Sequence, residues 1–240
     1  MPWWGLTSSA ATPALLVGGW TEAARVQPQP VDPVADTVSA LSAVGAADRW
    51  VMTMTFAVVG ICYIVTGIAL RPAGPAGRLI LVAGAAAGML VTVNPQPAYG
   101  GSPTHALWAS VGLAALAVWP AGAWRSGPEV PWGLRPAVCA GVVVVLVVLV
   151  AWFGLEVVTG AGHAGLAERV LGLAQAVWPL TVVLSCRHPA RAPIGRAPER
   201  RRRRCRQPAR AKVMRVVKGR RRRAAPIAAT RRRHRQVSGR

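Results

Sequence analysis

The sequence predicts an all-α fold, an integral membrane bundle of six transmembrane helices, on three observations. Six long apolar stretches run through the first 188 of the 240 residues. Basic residues in the connectors between them fall mainly on every second connector. Trp3, Trp4, Trp20, Trp50, Trp108, Trp124 and Trp132 sit at or near stretch ends, where an apolar indole with a polar N–H suits the headgroup region. With 52% hydrophobic and only 15% charged residues, the composition is unlike that of an ordinary soluble domain.

A hydrocarbon core about 30 Å thick needs roughly 20 apolar helical residues, because backbone polar groups cannot be left unpaired in it. The stretches that meet this requirement are Trp4 to Ala24, Val51 to Leu70, Gly77 to Val93, Thr104 to Trp124, Ala137 to Val158 and Leu166 to Cys186. The first competes with a cleaved signal peptide. It has no Lys or Arg before Arg25 and is longer than a usual apolar signal core, so a retained span is expected.

The first connector carries its own helix signals. Asp32-Pro33 reads as an N-cap with a first-turn proline, and Gly45 as a stop. Val34, Val38, Leu41 and Val44 recur at helical spacing, while Asp36, Ser39 and Ser42 share another face. A short interfacial helix on the membrane surface is the expectation. In the third span, Gly84 and Gly88 form a small-xxx-small pair that lets a neighbour approach. Pro13, Pro120 and Pro179 lie inside spans one, four and six, where buried neighbours compensate for lost hydrogen bonds.

Orientation follows from the connectors. The second, the fourth and the C-terminal exit carry Arg71, Arg78, Arg125, Arg135 and Arg187 against Glu129. The first, third and fifth carry Arg25, Arg49 and Arg169 against Glu22, Asp32, Asp36, Asp48, Glu156 and Glu168. The positive-inside rule places the first set, and both termini, in the cytoplasm of a cell-membrane protein. Cys62, Cys139, Cys186 and Cys205 avoid the outward connectors, so no structural disulfide is expected.

Residues 1–188 form the expected transmembrane domain and 189–240 a separate tail. The tail holds 21 of the 29 Lys and Arg residues and one acid, Glu199, so +20 of the net charge of +21 belongs to it. Few large apolar residues are available to offset folding entropy, which predicts disorder. Beside a bilayer, its partner is the anionic lipid headgroup, at about 1 kcal/mol per basic residue near the surface. Nonspecific nucleic acid is the rival partner, disfavoured because the tail has no aromatic residue to stack on bases. A reading-frame extension in a GC-rich gene is a third account of the same composition. Oligomeric state is not legible.

The order of several short motifs resembles a known family. These are Ser9 to Pro13, Asp32-Pro33 with Asp36 to Leu41, Asp48-Arg49-Trp50, Gly60-Ile61-Cys62, Leu70-Arg71-Pro72, Gly77-Arg78, the Pro95 to His105 connector, Trp119-Pro120, Leu134-Arg135-Pro136 and Leu166 to Arg169. Together they resemble the six-span bacterial membrane proteins grouped as domain of unknown function 998, over about residues 3 to 188. The resemblance implies the six-helix fold and no defined activity. The chain departs from it at Asn94 to Pro97, where an acid is looked for, and in the Arg-rich tail.

Polar groups able to do chemistry gather outward. Asp36, Ser39, His105, Glu168 and Arg169 are the candidate site residues, with Asp32 and His163 nearby. Ser39 as nucleophile, His105 as base and Asp36 as orienting acid would compose a hydrolase or transferase. A His with two carboxylates would suit a divalent metal. The spacing matches neither Gly-x-Ser-x-Gly nor His-Glu-x-x-His, so no cofactor and no metal are expected. In the competing structural reading Asp32 caps a helix and Glu168 and Arg169 begin one. Glu156, beside Trp152 and Phe153 near the end of span five, is close enough to that end for interfacial solvation.

The function expected is therefore that of a structural or binding membrane protein, handling lipid or a small apolar molecule within the bundle. A membrane-embedded enzyme is the second reading. Transport is the third, and nearly uncharged spans offer it no polar path.

Overall fold

The computed structural model describes residues 1–98 and 100–187, and the regular secondary structure of these residues is all helix. Six helices follow one another: α1 (Trp3–Arg25), α2 (Trp50–Ala69), α3 (Pro75–Val93), α4 (Pro103–Ala123), α5 (Pro136–Thr159) and α6 (Ala164–Arg187). Their ends lie within two residues of those expected. Proline at the first position of α3, α4 and α5 supplies a preset φ where the missing N–H has no helical partner anyway. Gly160, left-handed at φ 64°, ends α5. The basic stretch 189–240, expected to be a disordered tail, lies outside the described residues.

Each helix packs on the next in the chain, and α6 returns against α1 to close the ring. Successive helices are antiparallel, including α1 and α2 across their long connector: Gly5 near the start of α1 faces Ala69 at the end of α2, while Gly19 faces Thr55. One end of the bundle therefore carries the α2–α3 and α4–α5 connectors and the end of α6. The other carries connectors α1–α2, α3–α4 and α5–α6.

Five helices, α2 to α6, are long and apolar enough to cross a membrane, and they mark the chain as a membrane protein. α1, 23 residues long, is less apolar: it carries Ser8, Ser9 and Thr12 on its buried face and Glu22 and Arg25 at its end. Those hydroxyls are satisfied within the protein. Ser8 Oγ meets Thr66 Oγ1 of α2 at 2.9 Å, and Ser9 and Thr12 donate to the carbonyls of Leu6 and Ser8.

Glycines set the closest crossing, between α3 and α4. A Cβ on Gly77 would lie 2.5 Å from the Ala123 Cα, and one on Gly122 would lie 2.6 Å from the Gly77 nitrogen. Further along, Gly84 faces Ala115 and Gly112. Both members of the expected pair lie along the crossing, since a Cβ on Gly112 would sit 3.2 Å from the Gly88 nitrogen, but only Gly84 turns its own Cβ direction at α4, whereas a Cβ on Gly88 would meet open space. Trp3, Trp50, Trp124 and Trp132 are exposed at helix ends, as anchoring demands, and the Arg49 guanidinium lies 4.7 Å from the Trp50 ring.

The helix expected between Asp32 and Gly45 is cut short. The structure has a turn at Asp32 to Asp36, then a single 3-10 turn, Ser39–Ser42. Val38 and Leu41 are buried while Val34 and Val44 are exposed, so the four valine and leucine positions do not share one face. Tertiary bonds displace the helical ladder here: Leu166 of α6 donates to the Val34 carbonyl at 3.0 Å, and Val44 donates to the Gln96 carbonyl at 2.8 Å.

In mid-bundle Gln175 of α6 is buried and donates through Nε2 to the Leu113 carbonyl of α4 at 2.9 Å. That carbonyl lies inside a helix and keeps its ladder partner, so Gln175→Leu is expected to cost less than about 1 kcal/mol in detergent unfolding. A loss of several kcal/mol would show that the amide holds more than this one bond.

Candidate functional site

Connector α1–α2 and the first turns of α6 build a clasp. Asp32 and Asp36 shape the strand of chain that enters it. The Asp32 carboxylate accepts from the Val34 N–H at 2.8 Å, and the Asp36 carboxylate accepts from the Asp32 N–H at 2.8 Å. Asp36 N–H returns a bond to the Asp32 carbonyl. The result is a closed loop with Pro33 at its apex.

Glu168 grips the next segment. Its carboxylate accepts from the Val38 N–H at 2.6 Å, the Ser39 N–H at 3.2 Å and the Ser39 hydroxyl at 2.5 Å. Val38 and Ser39 open the 3-10 turn, and the turn has no side-chain cap of its own. Glu168 is that cap, supplied from 129 residues away in the chain.

Arg169 takes the carbonyls. One of its terminal nitrogens, Nη1, donates to Pro33 at 2.9 Å, Asp36 at 2.7 Å and Gly165 at 3.0 Å. Gly165 has to be glycine, since a Cβ there would sit 2.8 Å from the Asp36 carbonyl carbon and 2.9 Å from Arg169 Nη1. Adjacent residues of one helix thus bind complementary halves of the same loop, the acid its donors and the base its acceptors. A recess of about 260 Å3 lies alongside, lined by Gln27, Pro30, Val31, Asp36, Ala40 and Leu41 among others.

His105 stands apart. It is buried in the first turn of α4, where its N–H donates to the capping Ser102 hydroxyl at 3.3 Å. Its Nδ1 meets the Asn94 carbonyl at 3.0 Å. A carbonyl only accepts, so Nδ1 carries the proton and Nε2 is left as the acceptor in the neutral ring.

Of the five candidates the structure joins Ser39 to Glu168 through side chains, and Arg169 to Asp36 through the backbone carbonyl. The hydrogen bonds of the described residues do not link Asp36, Ser39 and His105 into a relay. Among those residues no three His, Cys, Asp or Glu side chains gather to hold a metal ion. Glu156 closes the α5–α6 connector, accepting from Trp152 Nε1 at 3.2 Å and the His163 N–H at 3.0 Å. Pairing Ser39 with Glu168 was outside the reach of sequence reasoning, which grouped Ser39 with its near neighbour Asp36. The one sequence signal is that an acid and a base stand together, Glu168-Arg169, at the start of an apolar run.

The model of the family described as "Protein of unknown function (DUF998)" matches residues 9–185. The chain belongs to this family. The matched stretch of this DUF998 protein contains the whole clasp and all six helices except the extremities of α1 and α6. No curated protein and no solved structure matches the chain.

Proposed function

We propose that this DUF998 protein is a non-catalytic six-span membrane protein that takes up lipid or a small apolar molecule within its bundle. One observation carries the reading. Asp36, Glu168 and Arg169 direct their side-chain groups at backbone atoms of the protein itself, closing connector α1–α2 over one end of the helices, while His105 holds the Asn94 carbonyl of the neighbouring α3–α4 connector. Charge placed so holds a lid, and the interior beneath it is chiefly apolar. Such an interior selects apolar cargo by the same desolvation that builds it.

α1 is the sixth span in this reading. Its 23 residues rise about 34 Å, and it runs antiparallel to α2 and against α6. Both termini are cytoplasmic by the arginine count, and the stretch 189–240 adheres to anionic headgroups. In cells, a single cysteine at Ser126 is expected to resist a membrane-impermeant thiol reagent, while one at Ala161 reacts. Labelling of the Ser126 position from outside inverts the orientation.

An enzyme reading rests on the 2.5 Å Ser39–Glu168 contact, a hydroxyl on a carboxylate. A fluorophosphonate probe separates the two. The binding reading expects no adduct on Ser39 and saturable crosslinking of a photoreactive acyl chain inside the bundle. Stoichiometric Ser39 adduct, absent in Ser39→Ala, would replace it with a hydrolase or transferase.

A further inference from the structure

At the end of the bundle opposite the clasp, the α2–α3 connector (70–74) is bonded to the end of α4 and the α4–α5 connector (124–135) is closed on itself. Gly74 N–H donates to the Ala123 carbonyl at 2.9 Å, and Arg125 N–H to the Leu134 carbonyl at 2.8 Å. Between the connectors lies an open groove of about 330 Å3, lined by Pro72, Arg125, Ser126, Pro128, Glu129 and Val130 among others.

The groove lining holds one arginine, Arg125, and one acid, Glu129. Arg125 is exposed and makes one side-chain bond, from Nη2 to the Ala73 carbonyl at a long 3.4 Å, so most of its fork faces the groove unpartnered. Arg71 and Arg135, next in the chain to Pro72 and Leu134, are exposed and make no side-chain bond among the described residues. Arg78 is not available, because it donates to the carbonyls of Gly67 and Ile68 and caps α2. Glu129 is the acid of the groove and pairs with none of these arginines.

The surroundings are those of an interface. Trp124 and Trp132 are exposed indoles flanking the connector, and Leu79, one turn along α3, is 70% exposed. An arginine fork between connectors, beside indoles and above apolar helix surface, matches a phosphate that carries acyl chains.

We infer that this groove binds the phosphate headgroup of an anionic phospholipid, with Arg125 as its anchor and Arg71 and Arg135 as flanking charges. The inference rests on the membrane placement proposed above. Failure of that placement is read separately, by the reactivity of the Ser126 position in cells.

The test uses the full chain in a neutral detergent with a fluorescent short-chain phosphatidylglycerol, at salt high enough to screen the basic tail. Arg125→Gln is expected to weaken binding about tenfold, and Arg125→Lys by less, because a lysine keeps the charge without the fork. Ser126→Glu sets a carboxylate beside the groove at an exposed position and is expected to weaken binding comparably, which covers the case in which Arg125→Gln fails to fold. Wild-type affinity in both Arg125→Gln and Ser126→Glu overturns the site. Displacement of the probe by inorganic phosphate, or by an oligonucleotide, as effectively as by unlabelled phosphatidylglycerol overturns the assignment to lipid.

Discussion

Glu168→Ala is expected to release connector α1–α2 from the bundle and to cost about 3 kcal/mol in detergent unfolding. The substitution removes the shared acceptor of two backbone N–H groups and the Ser39 hydroxyl. Each such donor, left half-buried, costs about 1–3 kcal/mol, reduced where water reaches it. Glu168→Gln keeps one carbonyl oxygen and is expected to cost about half as much. The local signature is sharper than the global one. Hydrogen exchange at Val38 and Ser39 should rise to the rate of an open loop while the helices keep their protection. Unchanged protection of both amides would mean that the connector is held by something other than the clasp.

Gly77→Leu is the second large effect, and it acts on helix packing alone. Its Cβ would fall 2.5 Å from the Ala123 Cα and 2.6 Å from the Ala123 Cβ. These are backbone or backbone-fixed atoms, so no rotamer change relieves the clash. Helices α3 and α4 must separate, which undoes the bond from Gly74 N–H to the Ala123 carbonyl and the Gly84–Gly112 approach further along. Overpacking of a well-packed core costs about 1–3 kcal/mol, and a clash against fixed backbone stands at the upper end or above. Gly88→Leu is the control on the same helix. Its Cβ meets open space, and an unfolding midpoint close to that of the unsubstituted protein is expected. Equal loss from both variants would show that α3 tolerates no bulk anywhere and that the crossing is not specific.

The two glycines also show where sequence reasoning reaches and where it stops. Gly84 and Gly88 stand at the spacing that permits close approach, and sequence alone treats them alike. Only the rotation of α3 about its axis, set by α2 and α4 together, aims Gly84 at a neighbour and leaves the Cβ direction of Gly88 open. Gly77, at the edge of the expected span, carries the tighter crossing, and its place in the Gly77-Arg78 motif announces no packing role. Gln175 was equally silent, one amide in an apolar run, and its partner lies on a helix not adjacent in the chain.

The first connector is the instructive failure. Val34, Val38, Leu41 and Val44 recur at helical spacing, yet a 3-10 turn and bonds to α6 and to the α3–α4 connector hold the segment. Periodicity reports that one face must be buried. It does not say whether an internal ladder or a foreign carboxylate will satisfy the backbone while that happens. With Glu168 and Arg169 presenting both an acceptor and a donor, the external solution prevails here.

Sequence by itself determined the number, limits and apolar character of the helices, because twenty residues of hydrocarbon-compatible helix, proline starts and interfacial indoles are local properties of a chain. Tertiary structure alone decided which polar groups meet. Glu168 reaches Val38 and Ser39, Arg169 reaches Pro33 and Asp36, and Arg125 comes to face Pro72, across separations that no spacing along the chain encodes. The physical reason is that burial in a membrane is a property of each segment, whereas a hydrogen bond is a property of two segments brought to within 3 Å of each other.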